Sequence, residues 1–327
     1  MKDFEHVDAG SIESALNMLA VPGSVIIAGG TDLLPRMKIG ITSPRRLVNL
    51  KTVPGMDAIA SGGTGTEIGT LASLKDIAAD GVVQNLYPAL VQAIARAASP
   101  QLRNRGTIGG NLIQASRCWY YRGGFNCWLK GGDICFARDG ENRRHAIFGS
   151  GPCFTVHPSD PAVALMALDA RLDLQGSDER RTLPLRDFFQ FPVEASRQLT
   201  SLGRDEIITS VFIPSPPRGT TSAFIKAMER RVWAFAQASL AVSLGLESGI
   251  IRYARLVAGG VAQIPWRLYG VEKVLMGAEL NGRSIKLAAD AAVESAVPLP
   301  HNAYKVTLLR GLVEKLLSGF ADNTPGE

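Results

Sequence analysis

Ala28-Gly29-Gly30-Thr31-Asp32-Leu33 and Thr107-Ile108-Gly109-Gly110-Asn111 are the stretches on which the fold turns. Each places a glycine pair beside apolar, β-forming residues. Adjacent glycines let successive backbone N–H groups point into one concavity, which suits a phosphate. Thr31, Asp32, Thr107 and Asn111 add short polar side chains for oxygens and for ribose or ribityl hydroxyls. Neither stretch reads GxGxxG, so a Rossmann dinucleotide unit is not supported. On pattern alone, two tight turns without a ligand explain the glycines equally well.

Outward from the first pair, apolar spacing predicts a helix over 12–19, started by Ser11, and a buried strand over 24–28. A helical turn is expected at 33–37 and strands at 46–50 and 66–70. Around the second pair, helices are expected at 74–79 and 87–98, then a helix at 161–168 and a strand at 171–174. A second region begins near 177 with a polar turn and a strand at 206–213. Pro214-Ser215-Pro216-Pro217-Arg218-Gly219 reads as a linker. Beyond it, strands are expected at 222–228 and 251–258, and helices at 265–275, 285–292 and 304–317. The stretch 235–246 fits strand or helix, and 321–327 reads as a frayed tail.

The 327-residue, 34.9 kDa chain has room for two hydrophobic cores, or three small ones. With 46% hydrophobic and 20% charged residues it is globular rather than disordered. Its 35 basic against 30 acidic residues leave a mild +5, with no basic run that calls for nucleic acid. No apolar stretch is long enough to span a bilayer, and Met1 to His6 lead into no secretory segment. A soluble chain without an export signal of its own is expected.

All four cysteines, Cys118, Cys127, Cys135 and Cys153, fall in one segment, with 8, 7 and 17 residues between them. Disulfides fit poorly with a large chain that needs no staples. Zinc sites usually bring close Cys pairs, which are missing here. An iron–sulfur cluster tolerates ligands delivered by loops, and Gly123, Gly124, Gly131 and Gly132 would let backbone wrap it. Spacing leaves cluster, zinc and free or paired thiols all open. Segment 116–155 has no clean period, yet its aromatics argue for a structured loop. No acid–base pair or nucleophile stands out, and His6, His145, His157 and His301 are scattered.

Taken in order, the two glycine stretches, with Gln101-Leu102-Arg103-Asn104 ahead of the second, resemble the flavin motifs of the xanthine dehydrogenase family's FAD-binding (medium) subunits. His157-Pro158-Ser159-Asp160-Pro161-Ala162 is similar to that family's third element. The region from 219, with Ala258-Gly259-Gly260-Val261-Ala262 and Pro265-Trp266-Arg267, resembles its second domain. The cysteine loop is similar to an insertion in the FAD subunits of 4-hydroxybenzoyl-CoA reductase and, more closely, of bacterial aldehyde oxidoreductases, where it holds an extra [4Fe–4S] cluster.

The resemblance implies an α+β chain. Residues 1–216 would form a PCMH-type (vanillyl-alcohol-oxidase-like) FAD-binding fold of two α/β subdomains carrying the cluster loop 116–155. Residues 217–327 would form a CO-dehydrogenase-flavoprotein-like α/β domain closing over the flavin. It implies FAD held along Ala28, Gly29, Gly30, Thr31, Asp32 and Leu33 and along Thr107, Ile108, Gly109, Gly110 and Asn111. Asp160 would meet ribityl or neighbouring hydroxyls, Leu112 would lie near the isoalloxazine with Ile108, and Lys226 is a weaker candidate near the ring. Cys118, Cys127, Cys135 and Cys153 would ligate the [4Fe–4S] cluster. The implied partners are a molybdenum-cofactor large subunit and a small subunit with two [2Fe–2S] clusters, in a heterotrimer or a dimer of it.

The implied function is electron transfer from those clusters to an external acceptor during aldehyde oxidation. The alternatives are inward electron flow for reductive dehydroxylation of an aromatic acyl-CoA, or a standalone FAD oxidoreductase. A cytoplasmic location is expected by default, with periplasmic co-export on a signal-bearing partner as the other route.

Overall fold

The computed structural model describes residues 1–149 and 151–322. Three sheets follow one another along the described chain. The first is parallel, with Arg46–Asn49 between Glu5–Asp8 and Ser24–Ile27. Parallel neighbours need crossovers, and the helices Ile12–Leu19 and Leu33–Lys38 supply them. Ser11 starts the former by accepting from the Ser14 N–H at 3.0 Å.

The second sheet is antiparallel, in the order Ile59–Gly62, Gly65–Gly69, Ile207–Pro214, Arg171–Gln175, Arg180–Pro184. Between Gly69 and Arg171 the chain leaves this sheet to build the helices Leu74–Ala79, Gly81–Leu86 and Pro88–Arg96, the second glycine stretch and the cysteine loop. Ile68, Leu172, Val211 and Ile213 close on Leu90, Ile94, Ile108 and Leu112, all fully buried. Each such side chain stabilises by roughly 2 kcal/mol over exposure.

The third sheet, in the order Trp266–Arg267, Ile250–Gly259, Ala238–Glu247, Thr220–Ala227, packs on the helices Tyr269–Leu275, Gly282–Ala291 and Tyr304–Asp322. The helix Asp160–Ala167 is buried over all its residues and packs against the third sheet as well as the helix Pro88–Arg96. A helix apolar all round is one enclosed on every side. Gly259 lets the third sheet approach it, since a Cβ there would meet Val163 Cγ2 at 2.6 Å.

Several expectations shift. The second glycine pair follows no strand; it forms the first turn of the short helix Ile108–Leu112. The stretch 235–246 resolves into the strand Ala238–Glu247, flanked by strands on both sides and buried on both faces, which removes the alternation that marks a half-exposed strand. Of 265–275 only Tyr269–Leu275 is helical. Trp266–Arg267 pairs with Ala258 and Val257 instead, and Leu268 breaks the path with ψ 64°. Glu5–Asp8 and Arg180–Pro184 lie at sheet edges, where polar sequence hides them. Ala321 and Asp322 finish the last helix, so the expected frayed tail does not begin there; 323–327 lie outside the described residues.

Candidate functional site

The two glycine stretches pack directly on each other. A Cβ on Gly29 would sit 1.9 Å from the Arg105 carbonyl oxygen, so only glycine admits that contact. Gly30 turns the chain with φ +71°, in the left-handed region that glycine tolerates. In the second stretch Gly109 abuts Thr70, where a Cβ would fall 1.8 Å from Oγ1. Thr107 caps the short helix by accepting from the Gly110 N–H at 3.3 Å.

Two cavities meet at this junction. One, of about 440 Å³, runs from Thr31, Asp32, Thr107, Gly110 and Asn111 past Asp160 to Trp233 and Phe235 of the third-sheet connection. The other, of about 180 Å³, is walled by Val25, Ile27, Leu71 and Ile207. Thr31, Asp32, Thr107 and Gly110 line both, so the two form one groove pinched by the glycine stretches. An apolar chamber on each side of a narrow, backbone-lined waist fits a ligand with two flat rings joined by phosphates.

Asp32 is committed elsewhere than to ligand hydroxyls. Its carboxylate accepts from Arg122 at 2.8 Å and the Ala115 N–H at 3.0 Å, and it pairs with Arg117 at 2.9 Å and Arg36 at 3.8 Å. Burial would raise this carboxyl, but Arg117, the Ala115 N–H and Arg122 together hold it below its ordinary value. Asn111 faces the larger cavity while its Oδ1 accepts from Ser159 at 2.5 Å, and Ser159 caps the central helix through the Ala162 N–H. Ile108 and Leu112 are wholly buried in the core and line neither chamber. Ala28 and Leu33 line the smaller chamber.

Asp160 also lines the larger cavity and receives the Lys226 ammonium at 2.7 Å. Burial lifts the Asp160 carboxyl to about 6 against the pull of Lys226. Lys226 is neither solvated nor in the cavity wall, because its second bond goes to the Arg96 carbonyl at 3.0 Å. It joins the third sheet to the central helix. His157 is buried on Phe189 with its ring at the Leu112 carbonyl, and burial drops it to about 4, so it is neutral and structural.

The cysteine loop is ordered by long-range contacts, with only the turns Trp119–Arg122 and Trp128–Lys130 regular. Arg197 donates to the Trp128 and Gly132 carbonyls, both at 2.7 Å, and lies over the Trp128 ring. Tyr120, Phe125 and Phe136 pack ring on ring beside it. Asn302, from the far end of the chain, donates to the His145 and Ala146 carbonyls.

None of the four cysteines forms a disulfide. Burial raises the Cys118 thiol to about 11 against the N–H groups of Tyr121 and Tyr120, and the nearby Cys135 and Cys127 push the same way as burial. A hydrogen bond from Cys153, with N–H groups of Phe154, Ala137 and Arg138, eases ionisation of Cys135 to about 6; the same bond, then burial, pushes Cys153 up. Cys118 Sγ also lies 3.1 Å from His145 Nε2. Among the described residues no three Cys, His, Asp or Glu side chains converge as the donors of a single metal ion. The thiols are neighbours, with backbone donors already on three of them. His145, Arg117, Arg122 and Arg197 are the contributors that sequence reading missed; only the bracketing of Cys118 by two arginines hinted at any of them.

Residues 2–216 match the family described as the FAD binding domain in molybdopterin dehydrogenase, and 223–319 match the CO dehydrogenase flavoprotein C-terminal domain. The chain is 34% identical to the aldehyde oxidoreductase FAD-binding subunit PaoB of Escherichia coli (strain K12), with 94% of each covered. It is 27% identical to the carbon monoxide dehydrogenase medium chain of Hydrogenophaga pseudoflava over 96% of each. Among solved structures it is similar in fold to carbon monoxide dehydrogenase of that organism, with TM-score 0.79 at 24% identity and 98% of each chain covered. Quinoline 2-oxidoreductase of Pseudomonas putida 86 follows with TM-score 0.78 at 21% identity, over 98% of this chain and 99% of that one. With a backbone-lined groove waiting between two glycine stretches, and these matches along nearly its whole length, the chain belongs to the FAD-binding medium-subunit family of the molybdenum hydroxylases.

Proposed function

We propose that this chain is the FAD and [4Fe–4S] electron-transfer subunit of an aldehyde-oxidising molybdenum enzyme. It is an FAD-binding subunit of a multi-subunit oxidoreductase of that type, and the substrate chemistry belongs to a partner. When bound, FAD and the cluster supply electron exchange; the residues here hold and insulate them. FAD phosphates would lie at the waist formed by Gly29, Gly30, Thr31, Thr107 and Gly110, with one ring system in each chamber. The partners are a molybdenum-cofactor large subunit and a small subunit with two [2Fe–2S] clusters, whose electrons leave through this chain to an external acceptor.

The observation that carries the cluster assignment is the gathering of all four cysteines, none in a disulfide, in one loop ordered by long-range contacts. Tyr120 and Tyr121 bond Cys118, Phe154, Ala137 and Arg138 bond Cys135, and Thr155 bonds Cys153. These backbone N–H groups ease ionisation, but only at Cys135, where the larger pull is the bond from Cys153, do they prevail; burial outweighs them at Cys118, and the bond to Cys135 with burial outweighs them at Cys153. Cys127 would complete the set from the turn closed by Gly131 at φ +105°.

Native purification with iron, molybdenum and flavin analysis tests this. The expectation is FAD and about four irons beyond those of the small subunit, lost in Cys135→Ser with FAD retained. Zinc in place of iron, or an active enzyme consisting of this chain alone, overturns the assignment. A cluster potential far below that of the flavin would reverse the direction of flow.

A further inference from the structure

A third cavity, of about 360 Å³, opens beside the larger flavin chamber and shares Arg117, Arg230, Ala234 and Phe235 with it. Its floor holds Cys118 and His145, and its walls add Trp119, Arg144 and Glu229. Three guanidinium groups line it; Arg117 is paired from behind with Asp32 at 2.9 Å, and Arg144 with the half-exposed Glu229 at the rim at 2.5 Å. Arg230 directs its bonds to the Trp233 carbonyl, so its charge is not neutralised by them. Arg117 Nε and His145 Nδ1, both in lining residues, are buried without a hydrogen-bond partner. Arg230 is thus the one lining guanidinium without a carboxylate among the described residues, and that excess positive charge favours an anion in the cavity. Arg117 and Arg144 each lie over an aromatic ring, Phe235 and Trp119, which holds the guanidinium planes in place.

We propose that this cavity seats a small anionic electron acceptor. The inference rests on the electron-transfer reading above and names the port through which electrons leave. Its position gives the acceptor one wall in common with the flavin chamber and a floor at Cys118 Sγ. Its volume suits a single compact anion, and its charge selects anions over neutral oxidants. Aldehyde and water yield a carboxylic acid, two protons and two electrons. Two one-electron anionic oxidants, each becoming one charge more negative, consume the electrons, and the protons go to solvent.

The test uses the intact complex with ferricyanide as oxidant, the redox-inert hexacyanocobaltate as its competitor, and neutral benzoquinone as the control. Arg144 and Glu229 line this cavity but not the flavin chamber. Arg144→Gln is expected to raise the ferricyanide KM and the hexacyanocobaltate inhibition constant roughly fivefold at low salt. Glu229→Gln is expected to lower both, by roughly twofold or more. Benzoquinone turnover should stay within about twofold in either variant, as befits an uncharged acceptor. Opposite shifts for the two variants, confined to the anions, support the site. Shifts of one sign, equal effects on benzoquinone, or no inhibition by hexacyanocobaltate in a flavin-containing complex overturn it. A complex without FAD would instead overturn the electron-transfer reading itself.

Discussion

The two glycine pairs look alike in sequence and are built differently. Gly29-Gly30 ends a strand, and its second member needs a left-handed backbone. Gly109-Gly110 sits inside a capped helical turn and needs no unusual dihedral. What they share is a division of labour. In each pair both glycines border the groove, and the first also permits a close approach, to the Arg105 backbone or to Thr70. A phosphate cradle therefore depends on packing behind it as much as on N–H groups in front of it.

Substitutions separate these roles. Gly29→Ala should have the largest effect, because the obstacle is a carbonyl that cannot rotate away. A stability loss of about 3 kcal/mol or more, read by thermal denaturation with near-complete loss of FAD, is expected. Gly109→Ala meets a side chain instead, so Thr70→Ala should restore part of its loss. Absence of any rescue would show that the Thr70 contact is not what excludes a Cβ. Gly30→Ala should cost about 1–2 kcal/mol through backbone strain, with Leu34 the only tight neighbour to yield. Gly110→Ala should leave stability within about 0.5 kcal/mol, or raise it through helix propensity, yet weaken FAD binding. If flavin titration shows unchanged affinity there, Gly110 does not face the phosphates.

The smallest effect concerns pH. Asp32 is held below its usual 3.8, so the folded chain binds its proton less tightly than the unfolded one. Its contribution is present in full above that value and fades as pH falls through the lower folded one. Acidification should release FAD from Asp32→Asn along a shallower curve than from the parent, measured by flavin fluorescence.

Local pattern made much of the first two sheets legible. Ser11, the apolar run after it and Leu74 to Ala79 each carry their own signal, and the structure places helices at Ile12–Leu19 and Leu74–Ala79. The cysteine loop has no such signal. Its order comes from Arg197, Asn302 and Asp32, each far away in the chain, and no period within 116–155 records them. Lys226 illustrates the same limit. A lysine on a strand reads as solvated until Asp160 is brought beneath it. Arg180–Pro184 and Glu5–Asp8 stayed hidden because edge strands need only one apolar face or none.

Asp32 also ties two distant parts of the subunit together. One carboxylate, two residues beyond the Gly29-Gly30 turn, grips Ala115, Arg117 and Arg122, the residues around Cys118. A newly made chain whose cysteine loop is still open lacks most of the donors that fix Asp32, so its flavin turn is left loosely held. Flavin turn and cysteine loop are therefore linked through one carboxylate, and loosening either weakens the support of the other.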